Sequence, residues 1–160
     1  MKVFAFVGLM LASGPALALS CMRPDVATSY RDAADSADSY LVVLGRLTHD
    51  EPASAETMRN PDRVDDPPQT FEARIAGHFL NGESFGGDIA VPVTVTVGCV
   101  SVWCAPVPPA EAEVLAFVRQ DAEGYYLDVG PCGGRYFTDP TQEQIDRVLA
   151  CHAGGDCAPS

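Results

Sequence analysis

The sequence predicts a mainly β domain, a five-stranded Greek-key barrel with a short N-terminal helix, a C-terminal helix and stabilising disulfides. Short apolar runs alternate with polar residues at a period of two, which is typical of half-buried strands. Proline, glycine and asparagine separate these runs at unequal intervals. Six cysteines follow an N-terminal segment that resembles an export signal, and an even cysteine count in an exported domain indicates a disulfide framework.

Residues 1–20 have the order of a secretory signal peptide. Lys2 gives a positive start, residues 3–12 are apolar, and Ser13-Gly14-Pro15 interrupts the run before several small residues. The apolar run is shorter than the roughly 20 residues that a membrane span requires. We therefore expect an exported protein, either periplasmic or secreted.

Three maturation products are compatible with this segment. Cleavage after Ala18 leaves Leu19 first, and cleavage after Ser20 leaves Cys21 first. The residues before Cys21 also resemble a loose bacterial lipobox, in which Cys21 would be lipidated. Because lipidation would leave one of the six cysteines unpaired, we favour an unmodified chain that begins at Cys21.

Length and charge limit the classes of function. Removing 20 of the 160 residues leaves a length that suits one domain, residues 21–160, with a core of about 21–151 and a short tail, 152–160. The mature chain carries 9 arginines and 22 acids, a formal charge of 9 − 22 = −13. Such a charge repels phosphate backbones and anionic headgroups, so we expect no nucleic-acid partner, and membrane attachment only if Cys21 is lipidated.

Five segments have strand patterns: 40–48, 70–80, 91–97, 113–120 and 125–129. Valine occupies every second position of the third, and Pro92 places the start of that strand at a sheet edge. The last two segments form a hairpin, and turns are expected at Asn81-Gly82 and Gly86-Gly87. Strands this short, with unequal loops, fit a barrel of the OB type.

Two helices flank the strands, and residues 50–69 read as a solvated loop. Residues 29–39 have a helical composition, and 141–151 carry an apolar stripe at helical spacing. The second helix has either Asp139 as its N-cap or Thr141 in a capping box with Gln144. The predicted core consists of apolar residues on these elements: Leu41, Val43, Phe71, Ile75, Val93, Val95, Leu115, Phe117, Leu127 and Val148.

The cysteine spacing favours disulfides over a zinc site. Four residues separate Cys99 from Cys104, and five separate Cys151 from Cys157, so neither pair has the C-x-x-C spacing of a zinc knuckle. The expected bonded cysteines are Cys21, Cys99, Cys104, Cys132, Cys151 and Cys157. Three bonds among six cysteines allow about 15 pairings, and the sequence does not choose among them.

The order of elements resembles the netrin-like module found in tissue inhibitors of metalloproteinases. The matching features are Cys21, the strand YLVVLGRLTHD, the strand FEARIAGHFLNG, the loop of Cys99 and Cys104, the hairpin EVLAFVRQDAEGYYLDVGPC and the helix QEQIDRVLAC. The chain departs from the inhibitors in having Cys21-Met22-Arg23 where they begin Cys-x-Cys. It also lacks a second early cysteine, so Cys151 would pair with Cys157 or Cys132.

The resemblance implies a zinc-directed role for the N-terminus. In the inhibitors, the α-amine and carbonyl of the first cysteine chelate the catalytic zinc of the protease, and the next side chain enters its specificity pocket. Carried over, Cys21 would be the chelator and Met22 the pocket residue. The alternative is that Cys21 only staples the N-terminus to the barrel, and the two roles are compatible.

The remaining candidate residues point away from catalysis. His49, His78 and His152 read as surface histidines, and Ser84 lacks the G-x-S-x-G spacing of a hydrolase elbow. Two acidic groups could offer carboxylates to calcium, although a solvated acidic surface explains them better: Asp32, Asp35 and Asp38, and Asp62, Asp65 and Asp66. Trp103, the only tryptophan, is either a partner contact or a lid over the end of the barrel.

We therefore expect an exported binding module without catalytic activity, cofactor or metal. Its partner-binding residues would be Cys21, Met22 and Trp103, and its partner a protein, which the resemblance extends to a zinc metalloprotease. The alternatives are a periplasmic or outer-membrane-anchored structural lipoprotein without inhibitory activity, an inert scaffold, and an enzyme whose site is assembled from dispersed residues.

Overall fold

The structure is a computed structural model that describes residues 21–52 and 59–159. The predicted signal peptide and its cleavage sites lie outside the described residues, as does part of the predicted solvated loop. Among the described residues, no helix is long and apolar enough to cross a bilayer.

Strands hold 44% of the described residues and helices 17%, which confirms the mainly β class. The helices are α1 (Val26–Ala34) and α2 (Gln142–His152), and a 3-10 turn covers Pro61–Arg63. The strands are β1 (Ser39–Thr48), β2 (Gln69–Asn81), β3 (Ser84–Val97), β4 (Cys99–Val100), β5 (Trp103–Cys104), β6 (Ala112–Gln120), β7 (Tyr125–Val129) and β8 (Tyr136–Thr138).

Five strands close into a ring through their pairings. β1 pairs with β2, β2 with β3, β7 with β6 and β6 with β1, all antiparallel, while β3 and β7 pair in parallel. β8 adds to β6, and β4 and β5 form a separate hairpin. The five ring strands are the five that the sequence predicts. The other three have two or three residues each, too few to show a period.

Two apolar clusters form the core. The larger one lies among the ring strands and includes Val43, Ile75, Val95 and Leu127. The smaller one lies between β6 and the two helices; its buried members are Val26, Ala33, Val42, Leu115, Phe117 and Val148. Of the ten predicted core residues, eight are buried, and Leu41 and Phe71 are partly buried against the larger cluster.

Both helix starts follow from capping. Asp25 accepts hydrogen bonds from the backbone N–H groups of Ala27 and Thr28, so α1 begins at Val26 and not at the predicted residue 29. Thr141 and Gln144 form the reciprocal capping box of α2. Of the two alternatives for that N-cap, the structure selects Thr141.

The predicted turn at Gly86-Gly87 is wrong, because both glycines lie inside β3. The ring of Phe79 on β2 covers Gly87, and it occupies the space that a Cβ at this position would need. The register of β2 and β3 also shifts beside Phe79. Here glycine permits a close approach instead of a turn.

The prediction that Pro92 lies at a sheet edge agrees with the pairing of β3. β7 pairs only with residues 94–97 of β3, so the part of β3 that contains Pro92 has β2 on one side and no strand on the other among the described residues.

The predicted disulfide framework is confirmed, with pairs Cys21–Cys132, Cys99–Cys104 and Cys151–Cys157. The first joins residues 111 apart in sequence, and the other two close short local loops. Cys151 thus bonds to Cys157 and not to Cys132. Three disulfides in a small protein are typical of an oxidising environment such as the extracellular space or the periplasm.

Candidate functional site

The first four described residues, 21–24, run outside any helix or strand, and we call them the N-terminal ridge. The disulfide of Cys21 to Cys132 fixes its start, with 5.2 Å between the two Cα atoms. Residues 22–24 make no hydrogen bond within the part of the chain that the structure describes. Met22 is 89% exposed. The ridge is therefore an exposed segment held by one covalent bond.

The ridge packs against the turn at residues 130–133. The N–H of Gly133 donates to the carbonyl of Gly130 at 2.9 Å, and Gly133 has a φ of 71°, a left-handed conformation that favours glycine. A Cβ on Gly133 would lie 2.8 Å from Cγ of Pro24. The close approach of Pro24 therefore also requires glycine at this position.

Two depressions flank the ridge, and Arg23 and Pro24 line both. The larger, which we call the apolar groove, has a volume of about 580 Å³; its wall includes Met22, Pro106, Pro131, Tyr136 and Phe137. The smaller, the arginine cleft, has a volume of about 280 Å³ and includes Arg147 of α2. Burial raises the pKa of the Tyr136 hydroxyl above its ordinary value of 10.0.

The charges at the arginine cleft differ from those elsewhere. Arg23 and Arg147 have no hydrogen-bond, ion-pair or ring partner among the described residues. Most other arginines are engaged, such as Arg46 with Glu113 and Arg119 with two aspartates. On a chain of formal charge −12, the arginine cleft thus has two guanidinium groups that no side chain of the described residues pairs with, one on the ridge and one on α2.

The three histidines lie apart and contact different groups. Nε2 of His49 lies 2.9 Å from the carbonyl oxygen of Pro108, and its ring packs on Phe71. His78 pairs with Asp88 at 3.0 Å, and Nδ1 of His152 lies 2.8 Å from the hydroxyl of Tyr30. Contrary to the expectation of an ordinary surface residue, His49 is half-buried, with an Nδ1 that has no partner among the described residues.

The two predicted acidic groups are on the surface. Asp32, Asp35 and Asp38 are exposed at the end of α1 and beyond it. In the second group Asp66 is engaged, since its carboxylate accepts from Arg63 at 2.6 Å. Within the described residues, no three His, Cys, Asp or Glu side chains come together in a way that could hold a metal ion.

Trp103 is not among the residues that line the two depressions beside the ridge. It pairs with Val100 across the hairpin of β4 and β5, which the disulfide of Cys99 to Cys104 bridges. Trp103 is half-buried, while Val100 is 53% exposed. The structure thus brings Cys21 and Met22 together in one site and leaves Trp103 out of it.

Most of the residues that line the two depressions beside the ridge were not predicted from the sequence. Pro106, Pro131, Tyr136 and Phe137 come from loops and from the three-residue strand β8. Arg147 comes from α2, where it is half-buried. No spacing relates these residues to Cys21, and only the cysteine pairing of 21 with 132 could have indicated that the two regions meet.

A scan against protein-family models and searches of curated proteins and of solved structures return no match for this chain. The fold and the ridge therefore define the class by themselves: a disulfide-bonded, mainly β protein with an exposed segment at residues 21–24.

Proposed function

We propose that the protein is an exported binding module that engages a partner protein through its N-terminal ridge and the adjacent apolar groove. The ring of five strands, with its one parallel pair, would be an OB-type barrel that serves as the rigid support. The observation that carries the proposal is the side chain of Met22, which is 89% exposed on a segment fixed by a disulfide.

A fixed apolar side chain is a favourable contact residue. Moving a methionine side chain from water into a partner's pocket stabilises a complex by about 1.5–3 kcal/mol. A free chain end would lose much of that free energy, because binding would have to restrict its motion. The bond of Cys21 to Cys132 already restricts the ridge before binding. The apolar groove beside Met22 offers further surface to the same partner.

We further propose a zinc metalloprotease as the partner, on the basis of the resemblance to tissue inhibitors of metalloproteinases. The α-amine and carbonyl of Cys21 would occupy the open position of the catalytic zinc, and Met22 would enter the neighbouring pocket. Two features support this assignment. Cys21 is exposed, and its disulfide uses only the sulfur, so the bond itself engages neither the backbone nitrogen nor the carbonyl.

The mature N-terminus is the first test, because chelation requires an unblocked amine on Cys21. The intact mass of the exported protein separates the three maturation products. A chain that begins at Cys21 supports the zinc-directed role. Two additional residues would remove the chelating amine, and an added lipid would favour the alternative of a membrane-anchored structural lipoprotein.

The second test compares Met22→Ala with the matched control Val100→Ala, which truncates an exposed apolar side chain on the hairpin of β4 and β5, outside the lining of the apolar groove. Each purified variant is titrated into a panel of zinc proteases, and residual activity is measured. We expect Met22→Ala to weaken inhibition by about tenfold or more, and Val100→Ala to leave it unchanged. Equal effects of the two variants, or no inhibition by the intact protein, would contradict the proposal.

A further inference from the structure

The three disulfides differ in exposure and in what else holds the segments that they join. Cys21 and Cys132 are both exposed, whereas Cys99, Cys104 and Cys157 are half-buried and Cys151 is buried. A thiolate must reach a disulfide sulfur to attack it, and exposed disulfides are the more easily reduced ones. The bond from Cys21 to Cys132 is therefore the most accessible of the three.

The two local disulfides are backed by other contacts. The hairpin of Cys99 and Cys104 is tied to the ring by the N–H of Gly98, which donates to the carbonyl of Val129 at 2.8 Å. Cys151 belongs to α2, and Sγ of Cys157 lies 3.6 Å from the carbonyl oxygen of Ala27. Each of these two segments therefore has a contact with the rest of the chain in addition to its own disulfide.

The ridge has no such support. Its residues make no hydrogen bond with the rest of the described chain, so the disulfide and the packing of Pro24 on Gly133 are what hold it. The chain is anchored again at Val26, which is 4% exposed in α1. Reduction of this bond therefore frees about four residues and leaves the helix and the strands where they are.

We infer that the Cys21–Cys132 disulfide is a redox modification site, which an external dithiol reduces selectively to release the N-terminal ridge. This inference rests on the proposed function where it concerns partner binding, because a released ridge would no longer present Met22 in a fixed position.

The exchange balances without any group from the protein other than the two cysteines. A thiolate of the dithiol attacks one of the two sulfurs, and the other leaves as a thiolate and takes up a proton. The second thiol of the reagent then resolves the mixed disulfide. Two electrons and two protons pass to the protein, which gains two thiols, and the reagent becomes a cyclic disulfide.

Graded reduction of the full exported protein tests the selectivity. The protein is incubated with rising concentrations of dithiothreitol, the thiols are trapped with N-ethylmaleimide, and labelled peptides are quantified by mass spectrometry. We expect Cys21 and Cys132 to be labelled at reductant concentrations about tenfold below those that label the other four. Labelling of either local pair at the same or a lower concentration would overturn the inference.

The local nature of the release is tested on the same samples. Heteronuclear ¹⁵N relaxation should show that Met22 and Arg23 gain fast motion on selective reduction, while the amides of β6 keep their dispersed signals. Loss of the β6 signals at that reductant concentration would mean that the whole domain unfolds and would overturn local release. The double variant Cys21→Ser/Cys132→Ser should reproduce the released form, and Cys99→Ser/Cys104→Ser is its matched control.

These measurements need no partner, so their results do not depend on whether the proposed function is correct. If the intact protein inhibits a zinc protease and selective reduction leaves that inhibition unchanged, the regulatory inference is overturned while the proposed function survives. If no protease is inhibited, the order of labelling still decides whether the site is selectively reducible.

Discussion

β6 and β3 belong to the same ring of strands but differ in what covers their outer faces. Five consecutive residues of β6, 114–118, are buried, because the inward side chains enter the larger cluster and Leu115 and Phe117 enter the smaller one under the helices. On β3, burial alternates strictly from Val93 to Val97. The comparison shows that a helical cover on one side of the ring turns a half-buried strand into a fully buried one.

Truncating one outward side chain on each strand tests this comparison, and it has the largest expected effect on the free energy of unfolding. We expect Leu115→Ala to lower the free energy of unfolding by about 3 kcal/mol, since Leu115 is fully buried. Thr96→Ala, at an outward position of β3, should cost less than about 1 kcal/mol. Urea denaturation of the two variants measures both values. Similar losses would show that the helices do not shield β6.

The next largest effect is expected from the disulfide between Cys151 and Cys157, which joins the C-terminal tail to α2, one of the two helices that cover β6. The double variant Cys151→Ala/Cys157→Ala should lose about 2 kcal/mol, as the chain-entropy model gives for a loop of this length. The control, Cys99→Ala/Cys104→Ala, opens a loop of similar length away from the helices. Hydrogen exchange separates the two, because only the first variant should lower the protection of the amides in α2.

The capping box at the start of α2 makes a smaller contribution. Thr141→Ala removes the hydroxyl that accepts from the N–H of Gln144, and it should lower the free energy of unfolding by about 1 kcal/mol. Thr138→Ala is the matched control on β8, which lies outside the helix. Thermal unfolding compares the two. Equal unfolding temperatures of the two variants would mean that the capping box does not stabilise α2.

The turn that joins β6 to β7 has the smallest expected effect, and it depends on pH. Desolvation raises the pKa of Asp121, but hydrogen bonds from the backbone N–H groups of Glu123 and Gly124 and from Arg119 outweigh it, and the pKa is lowered. The stabilisation is therefore complete above the ordinary value of 3.8 and is lost as the pH falls through the lower folded value.

Asp121→Asn should make stability fall less steeply on the acid side of pH 3.8 than in the intact protein. The control Glu123→Gln removes a neighbouring carboxylate and keeps the hydrogen-bonded acceptor of the turn. Unfolding curves collected across the acid range measure the slope for each variant. An unchanged slope in Asp121→Asn would contradict the lowered pKa.

The elements that the sequence predicted well are those with enough residues to show a period. Alternation placed β2 and the second half of β3, and apolar runs bounded by turns placed the other three ring strands. The spacing of Thr141 and Gln144 offered one of the two predicted starts of α2, and the structure has that one. The turn at Gly86-Gly87 was predicted wrongly because glycine is found both in turns and at close approaches within strands. Gly87 lies within β3, and the ring of Phe79 occupies the space that a Cβ at this position would need.

The candidate site was predicted only in part. Cys21 and Met22 stood out from their position after the predicted export segment, whereas Trp103, chosen for its residue type, is not among the residues that line the site. Tyr136, Phe137 and Arg147 were missed because each has an ordinary local context. Their importance comes from lying beside the ridge, which is a property of the folded chain.

The sequence by itself determined the disulfide-bonded β class and the order of the five ring strands and the two helices, because side-chain period, caps and cysteine count are local properties of the chain. Only the tertiary structure decided which cysteines bond, which strand is buried on both faces, and which residues surround the ridge. Those outcomes depend on contacts between residues distant in sequence, such as Cys21 with Cys132, which are 111 residues apart. The free energy of such a contact is set by the whole fold, so no local pattern encodes it.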